Sequence, residues 1–337
     1  MKSLRFYPAL LICLLCVFNY SRADEAENPF VGGWALTLPE GHTGWLGVES
    51  DGKGINAEML WAWGSVFKLD GARLDGERLL LTRLHQDDSK KPDGTTATIK
   101  LTETITVTRD GDSLKLVSVT PKADGNGEDR SEFTGKRLPP MPPAPVLRYV
   151  KFGEPVQLFD GKSLDGWRLV ETDAVNGWSA RDGILSNTQT QEEGKPEKDY
   201  GNLRTVAEFK DFMLHAETRV PKEGNSGIYL RGIYEVQVFD SFGMPLDSHN
   251  MGAIYSRVKP TVNAEKPAGE WQTFDITFVK RHVTVVLNGT MIIDNQPIAG
   301  PTGGALWPEV DRPGPIYLQG DHTGIEYRNI FLRPVVN

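Results

Sequence analysis

Six Asp-Gly pairs divide the first half of the chain, and they constrain its fold more than any other feature. The pairs lie at residues 51–52, 70–71, 75–76, 93–94, 110–111 and 124–125. Glycine readily adopts the positive φ angles of tight β-turns, so each pair predicts a turn between two strands. Between the turns, apolar and polar residues alternate, most clearly over residues 98–109. Residues 29–137 are therefore predicted to form a small antiparallel β-barrel or sandwich.

The second half, residues 149–337, is also rich in strand patterns, and no part of it has the period of a long amphipathic helix. The predicted strands are residues 156–159, 203–205, 212–220, 228–231, 234–239, 253–255, 271–279, 283–287, 291–294, 316–318 and 325–332. Asn288-Gly289 is a two-residue hairpin signal. A strand-only segment buries its apolar face against a second sheet, so we expect an antiparallel sandwich of the jelly-roll kind.

The segment between these halves is proline-rich, with five prolines in residues 138–145. This composition favours a stiff, polyproline-like linker. We therefore expect an accessory all-β domain at 29–137, a linker at 138–148 and a jelly-roll domain at 149–337.

Residues 1–23 have the pattern of a secretory signal peptide. Two basic residues precede an apolar run at 9–18, and Ser21-Arg22-Ala23 fits a cleavage site. We expect an exported protein, periplasmic or extracellular after cleavage, without stable insertion in a membrane. Both cysteines, Cys13 and Cys16, lie in this segment. The mature chain is therefore expected to have no disulfide, thiolate metal site or cysteine nucleophile.

The chain is acidic, with a formal net charge of −8 at pH 7. Residues 1–23 contain three basic and no acidic side chains, so their removal changes the net charge to about −11. Such a protein is a poor match for nucleic acids or anionic lipids. Neutral substrates such as sugars fit better, and a carbohydrate is the expected partner.

Residues 224–240 combine two predicted strands with side chains suited to acid–base chemistry. Strict alternation over residues 234–239 places Glu235 and Gln237 on one face. A bulge near Phe239 would bring Asp240 onto that face, and bulges are frequent beside active sites. These three polar residues are a candidate cleft-lining set, although a solvated strand face with a turn-forming aspartate gives the same spacing.

Arg231 strengthens the interpretation as a site. Tyr229 and Arg231 share one face of the preceding predicted strand. We therefore expect the guanidinium in the same cleft, where it would lower a carboxylate pKa or bind a substrate oxygen.

In the first half of the chain, the candidates for sugar binding are tryptophans. Trp61 and Trp63 share a predicted strand face, and Trp45 is nearby in the sequence. Such residues form either a sugar-stacking platform or, more often, part of the core.

An ordered set of motifs in the second half resembles the 3-keto-disaccharide hydrolase domain family over residues 152–334. The motifs are residues 156–167, 224–231, 234–240, 252–255, 266–271, 287–289 and 318–330. Gly320-Asp321 lengthens the spacing between Gln319 and His322 relative to the family pattern. The resemblance does not extend to residues 29–137.

The resemblance implies a concanavalin-like jelly roll and cleavage of glycosidic bonds in sugars already oxidised at C3. Laminarinase-type glycosidases of this fold carry a Glu-x-Asp-x-x-Glu strand, which Glu235, Gln237 and Asp240 echo with a central amide. An ordinary retaining glycosidase needs two carboxylates. A 3-keto sugar allows another route, in which a base removes the C2 proton and the enolate expels the C1 substituent, with or without later hydration.

This route needs a base, a stabiliser of the enolate and an acid for the leaving group. Glu235 is the first choice for acid–base work, Arg231 for electrostatic stabilisation, and His322 is a second proton carrier. The predicted substrate-binding residues are Tyr229, Gln237, Asp240, Trp271 and Gln319.

Other functions and partners remain open at this point. Glu, Asp, Gln and His also suit a divalent cation, but no histidine pair has ligand spacing, so no cofactor is certain. The resemblance implies a sugar 3-dehydrogenase as a partner that supplies keto sugars. A non-catalytic lectin-like protein and an ordinary two-carboxylate glycoside hydrolase are the alternatives, and the sequence does not separate hydrolase from lyase.

Overall fold

The computed structural model describes residues 28–90 and 96–336, so the predicted signal peptide, with both cysteines, and the Asp-Gly pair at 93–94 lie outside the described residues. Regular structure in the described part consists of β-strands and two short 3-10 turns, Pro39–Gly41 and Leu147–Tyr149. No helix in this part is long and apolar enough to cross a membrane. The predicted all-β class is confirmed.

The first nine strands form one antiparallel sheet with the order β4-β3-β2-β1-β9-β8-β7-β6-β5. They are β1 Gly32–Thr37, β2 Thr43–Ser50, β3 Ile55–Trp61, β4 Phe67–Lys68, β5 Gly71–Asp75, β6 Arg78–Lys90, β7 Thr96–Asp110, β8 Ser113–Pro121 and β9 Glu128–Arg137. The chain passes from edge strand β4 to edge strand β5 in two residues, and β3 contacts β5. The sheet is therefore rolled into a barrel around an apolar core that includes Trp34, Leu46 and Ile105.

Four of the six Asp-Gly pairs are turns in which the glycine has a positive φ angle. These glycines are Gly52, Gly76, Gly111 and Gly125. The pair at 70–71 behaves differently, because Gly71 begins β5 and a Cβ there would lie 2.5 Å from the hydroxyl oxygen of Thr82. That glycine is needed for close strand packing and does not form a turn of this kind.

The other fourteen strands form two sheets in the second half. They are β10 Lys151–Phe152, β11 Val156–Gln157, β12 Trp167–Leu169, β13 Trp178–Arg181, β14 Ile184–Asn187, β15 Leu203–Thr205, β16 Phe212–Arg219, β17 Asn225–Leu230, β18 Tyr234–Phe239, β19 Trp271–Val279, β20 His282–Leu287, β21 Thr290–Pro297, β22 Tyr317–Leu318 and β23 Ile325–Val336. One sheet has five strands in the order β12-β15-β22-β17-β18. The other has the order β13-β14-β23-β16-β19-β20-β21, with β10 and β11 also paired to β23.

The two sheets pack face to face around one apolar core. Tyr234 of β18 and Phe278 of β19 belong to opposite sheets, and their ring centroids are 5.3 Å apart. Alternate residues of β18, Val236 and Val238, are fully buried in the same core. This is the predicted concanavalin-like jelly-roll sandwich, and the alternation leaves Glu235 and Gln237 on the opposite face of the five-stranded sheet.

The strand predictions for the second half agree with the structure except at a few places. Residues 253–255 form no strand, because only Ile254 makes isolated bridges, to Val236 and Val258. The short strands β10, β12, β13 and β14 have no counterpart in the prediction. The hairpin at Asn288-Gly289 is confirmed, with φ angles of 50° and 80°.

The two halves of the chain share an apolar interface. Trp45 and Leu60 of the barrel belong to the same buried cluster as the sandwich core. The proline-rich segment is held against the sandwich, since Arg281 donates to the Pro139 carbonyl at 3.0 Å. The linker is therefore docked along the surface, and the predicted domain boundaries stay a prediction.

Candidate active site

A cavity of about 330 Å³ lies on the outer face of the five-stranded sheet. It is lined by Trp63, Glu171, Asn202, Asn225, Tyr229, Glu235, Gln237, Tyr255, Gly303, Gly304, Tyr317, Gln319, Asp321 and His322. Its size is at the lower end of the range for small-molecule sites. None of the described lining residues is a lysine or an arginine, which suits a neutral ligand better than an anionic one.

Glu235 is the central acidic group of this cavity, and strand register determines its position. It pairs with Tyr229 across β17 and β18, while Gln237 pairs with Gly227. The backbone N–H of Glu235 donates to the hydroxyl of Thr302 at 2.9 Å. The carboxyl group lies over Gly227, where a Cβ would be 2.4 Å from Oε1 of Glu235. Glycine at position 227 therefore makes room for the carboxyl group.

The hydrogen bonds of Tyr229 bear on the protonation state of Glu235. Its hydroxyl is 3.0 Å from Oε2 of Glu235 and 2.8 Å from the carbonyl oxygen of Gly303. Burial raises the pKa of Tyr229 well above its ordinary value, so the hydroxyl keeps its single proton. The single hydroxyl proton of Tyr229 can be donated fully to only one of these oxygens, and protonation of Glu235 allows Tyr229 to donate to Gly303 while it accepts from Glu235.

The pKa of Glu235 agrees with this arrangement. Burial raises it to about 8, and the opposing effect of the Tyr229 hydrogen bond is smaller. In the amide orientation that satisfies its neighbours, Gln237 donates to Oε1 of Glu235 at 3.1 Å. The carboxyl group is thus hydrogen-bonded at both oxygens and mostly protonated at neutral pH, which suits a general acid.

His322 and Asp321 form a second proton-handling pair in the cavity. Nδ1 of His322 is 2.6 Å from Oδ1 of Asp321, so the other ring nitrogen, Nε2, is not used in this contact. The hydrogen bond that the His322 ring donates to Asp321 raises the pKa of His322 above its ordinary value, although burial opposes the rise. Burial alone would raise the pKa of Asp321, but hydrogen bonds from His322 and Asn202 outweigh it and lower the pKa. Asp321 therefore stays ionised and orients the imidazole.

Two buried acceptors beside the cavity have no hydrogen-bond partner among the residues that the structure describes. They are Oε1 of Gln319 and Oδ1 of Asn225. Buried polar atoms are normally paired, so these two oxygens are candidates for contact with a ligand. Sugar hydroxyl groups are donors of the type that these two oxygens lack.

The structure thus brings together Glu235, Gln237, Tyr229, Gln319 and His322 from the predicted site. Sequence reasoning missed Asp321 and Asn202, and it left Trp63 open between a sugar-stacking platform and the core. The adjacent Asp321-His322 dipeptide was a usable signal, because an aspartate beside a histidine can orient its ring. Asn202 gave no signal, since its contact with Asp321 spans 119 residues.

The predicted position of Arg231 in this cleft is wrong. Its φ angle is 55°, so it belongs to the turn between β17 and β18 rather than to the strand that carries Tyr229. The side chain is 1% exposed, donates to the Val310 carbonyl and lies 4.9 Å from the ring centroid of Phe278. Arg231 therefore packs in the core and does not line the cavity.

Two predicted substrate-binding residues also lie elsewhere. The expected bulge does not bring Asp240 to the cavity, because its carboxylate accepts the backbone N–H of Glu223 at 2.9 Å and closes a turn. Trp271 begins β19 in the other sheet, where the guanidinium of Arg328 lies 4.0 Å from its ring centroid. Neither residue lines the cavity.

In the described residues, no cluster of three or more His, Cys, Asp or Glu side chains could hold a metal ion. A larger cavity of about 1060 Å³ lies between the barrel and the sandwich, with Arg257 and Arg281 in its lining. Burial lowers the pKa of Arg257 to about 10. None of the predicted site residues lines this larger cavity.

We expect a Gly227→Ala substitution to damage the site while leaving the fold intact. The added methyl group would force the Glu235 carboxyl to move, and its nearest contacts are atoms of that flexible side chain. Misplacement of a catalytic group by about 1 Å can cost roughly 10²-fold in rate, so turnover should fall about tenfold to a hundredfold. The measurement is turnover together with the thermal unfolding temperature.

Gly54→Ala is the matched control, because a Cβ at Gly54 meets nothing within 4 Å. It should leave both turnover and unfolding temperature unchanged. Wild-type turnover in the Gly227→Ala variant would contradict the position assigned to the Glu235 carboxyl.

A comparison with models of protein families shows which family the chain belongs to. The sequence model of the 3-keto-alpha-glucoside-1,2-lyase-like domain matches residues 154–333, slightly more than half of the chain. The chain belongs to this family. The resemblance inferred from the sequence motifs is confirmed, and the matched region contains every predicted site residue.

Individual relatives of this 3-keto-alpha-glucoside-1,2-lyase-like chain were also found. A Bacteroides thetaiotaomicron protein named 3-keto-disaccharide hydrolase is 28% identical in an alignment of 166 residues that covers 41% of this chain and 57% of that protein. The matched region thus spans just over half the length of this curated relative. A Parabacteroides distasonis structure, provisionally assigned as a glycosyl hydrolase, is 31% identical, with a TM-score of 0.44 over 59% of this chain and 94% of that one. A carbohydrate-binding module from Bacillus subtilis is 12% identical, with a TM-score of 0.33 over 49% and 93% of the two chains.

Proposed function

We propose that this protein cleaves the glycosidic bond of sugars that carry a ketone at C3, such as 3-keto-disaccharides. The observation that carries the proposal is the placement, in one cavity, of the buried Glu235 carboxyl, 3.0 Å from the Tyr229 hydroxyl, and of an Asp321-oriented imidazole at His322. Family membership and the name of the Bacteroides thetaiotaomicron relative support the substrate class.

The two groups divide the proton transfers of an elimination. A ketone at C3 acidifies the C2 hydrogen, and neutral His322 takes this proton through Nε2. The electron pair left on C2 is first held as the enolate of the C3 ketone. It then forms the C1=C2 double bond as the C1–O bond breaks, and Glu235 gives its proton to the departing oxygen. The products are an unsaturated keto sugar and a free alcohol, and the active site is reset when the proton on His322 is returned through solvent to Glu235.

The lining supports recognition of an uncharged sugar during this reaction. The unpaired oxygens of Gln319 and Asn225 would accept its hydroxyl groups. Arg231 does not reach the cavity, so negative charge that develops on the ketone oxygen would be met by a neutral donor, such as the Tyr255 hydroxyl. Addition of water to the double bond gives net hydrolysis, whereas release without water gives a lyase.

The arrangement favours this route over that of an ordinary two-carboxylate glycosidase. A retaining glycosidase of this fold would use a second carboxylate further along the strand of Glu235. Asp240 stands there in the sequence, but its carboxylate is bound to the backbone of Glu223. The His322–Asp321 pair offers a base instead.

We expect the purified protein to cleave methyl 3-keto-α-glucoside and to leave methyl α-glucoside intact, because only the keto sugar has an acidified C2 hydrogen. Products identified by mass spectrometry would also separate hydrolysis from elimination, since the elimination product lacks one water. Rapid cleavage of the unoxidised glucoside would overturn the proposal in favour of a conventional glycosidase. Binding of both sugars without cleavage of either would instead indicate a carbohydrate-binding protein.

We further propose a place for this reaction. The signal-peptide pattern of residues 1–23 supports action outside the cytoplasm. Because a ketone at C3 arises by oxidation of a secondary alcohol, a sugar 3-dehydrogenase would supply the substrate.

A further inference from the structure

Trp63 is an exposed tryptophan from the barrel that lines the same cavity as Glu235 and His322. Its side chain is 69% exposed, the most exposed of the tryptophans. The prediction that Trp61 and Trp63 share a face is wrong, because Ala62 between them has a φ angle of 52°. Trp61 packs edge-to-face on Phe133 at 5.2 Å, whereas Trp63 projects from the turn that follows β3.

This turn is fixed on the sandwich by hydrogen bonds. The Gly304 N–H donates to the Ala62 carbonyl at 3.3 Å. The Ser65 hydroxyl is 2.9 Å from Nε2 of His249, and the Val66 N–H donates to the Ser256 hydroxyl at 3.0 Å. These bonds hold the turn on both sides of Trp63, so the indole is presented at a defined place.

Close backbone packing adds to this constraint. A Cβ at Gly303 would lie 2.5 Å from the carbonyl oxygen of Trp63. The carbonyl oxygen of Gly303 also accepts a hydrogen bond from the hydroxyl of Tyr229, which in turn contacts Glu235. The tryptophan turn and the catalytic carboxyl are therefore linked through one glycine.

The environment of the indole leaves ring surface for a ligand. His42 contacts it with ring centroids 4.3 Å apart and planes tilted by 59°. Most of the remaining ring surface faces water or the cavity. Aromatic side chains commonly line small-molecule sites, and an aromatic ring packs well against the C–H face of a sugar.

We infer that Trp63 forms a stacking subsite for the second ring of a disaccharide, supplied to the active site of the sandwich by the barrel. The identity of the ligand as a sugar rests on the proposed function. The keto ring would lie between Glu235 and His322, and the ring of the leaving group would cover Trp63. The barrel thereby acts as a specificity element for the leaving group.

The experiment compares two probes, 3-keto-trehalose and methyl 3-keto-α-glucoside, with the full chain carrying Trp63→Ala. Binding is measured by calorimetry in the Glu235→Gln background, and turnover is measured with Glu235 intact. Loss of one aromatic contact should weaken binding and kcat/KM for the disaccharide about tenfold and leave the methyl glycoside unchanged. Trp63→Tyr should recover most of the loss.

Tyr149→Ala is the matched control, because Tyr149 is 71% exposed and does not line the cavity. It should leave both probes unaffected. Equal effects of Trp63→Ala on the two probes, or none on either, would overturn the inference, as would a wild-type protein that binds neither probe. Trp63-dependent disaccharide binding without cleavage would support the subsite and overturn the proposed function alone.

Discussion

A Glu235→Gln variant is expected to lose cleavage of a 3-keto-glycoside by roughly 10²- to 10⁴-fold, the usual contribution of general acid–base catalysis. The amide keeps the shape of the carboxyl group and its hydrogen bonds to Tyr229 and Gln237, but it has no proton for the leaving oxygen. Substrate binding should therefore be nearly unchanged, as measured by calorimetry.

Hydrogen exchange at C2 is a second measurement on the same variant, and it should persist where cleavage is lost. In heavy water, the base removes the C2 proton whether or not the leaving group departs. The ratio of deuterium incorporation into uncleaved substrate to cleavage should therefore be higher for Glu235→Gln than for the wild type. If exchange and cleavage fall together, Glu235 is the base, and its assignment as the acid is wrong.

The pH dependence of stability is a control that does not depend on substrate. The pKa of Glu235 is about 8 in the folded protein and ordinarily 4.5. Between pH 4.5 and about pH 8, the folded protein therefore keeps a proton on Glu235 that the unfolded chain has lost. The contribution of Glu235 to the free energy of unfolding falls as the pH rises through this range. A glutamine does not titrate, so the unfolding temperature of Glu235→Gln should fall less between pH 6 and pH 9 than that of the wild type. Equal slopes would mean that the carboxyl pKa is not raised.

A His322→Gln variant is expected to lose both cleavage and C2 exchange, each by roughly 10²- to 10⁴-fold, because no other base is assigned to the C2 proton. The contrast with Glu235→Gln is the diagnostic result, since only loss of the base should remove exchange. Rapid exchange in His322→Gln, measured by NMR against a sample without enzyme, would transfer the role of base to another group.

Asp321→Asn tests the same pair through the pH profile. The carboxylate of Asp321 raises the pKa of His322, so its replacement by a neutral amide should lower that pKa. His322 acts in its unprotonated form, and the low-pH limb of the rate profile should therefore move to lower pH. A purely structural role for Asp321 would reduce the rate without moving this limb.

Local sequence patterns predicted the parts of the site that depend on one strand. The alternation of β18 placed Glu235 and Gln237 on the cavity face and Val236 and Val238 in the core, as observed. This works because side chains of a strand point to opposite faces with a period of two, and one face here is strongly apolar.

The residues that were misplaced depend on where a strand stops and which sheet it joins. The predicted strand extends one residue too far, because the observed strand ends before Arg231. The positive φ angle of Arg231 directs its side chain into the core instead of the cavity. Trp271 is on a well-predicted strand, but that strand lies in the sheet away from the cavity. Trp63 required the docking of the barrel on the sandwich, which no local pattern records.

The position of β23 has a consequence for how this chain reaches its native state. This strand is the last in the sequence, yet it lies inside its sheet, where it pairs with β14 and β16 and also with β10 and β11. The sheet that backs the active site therefore stays incomplete until Ile325–Val336 has been synthesised. Contacts of such long sequence separation form late and slowly. A chain that cannot close its core during translation stays unfolded until the last strand has joined the sheet.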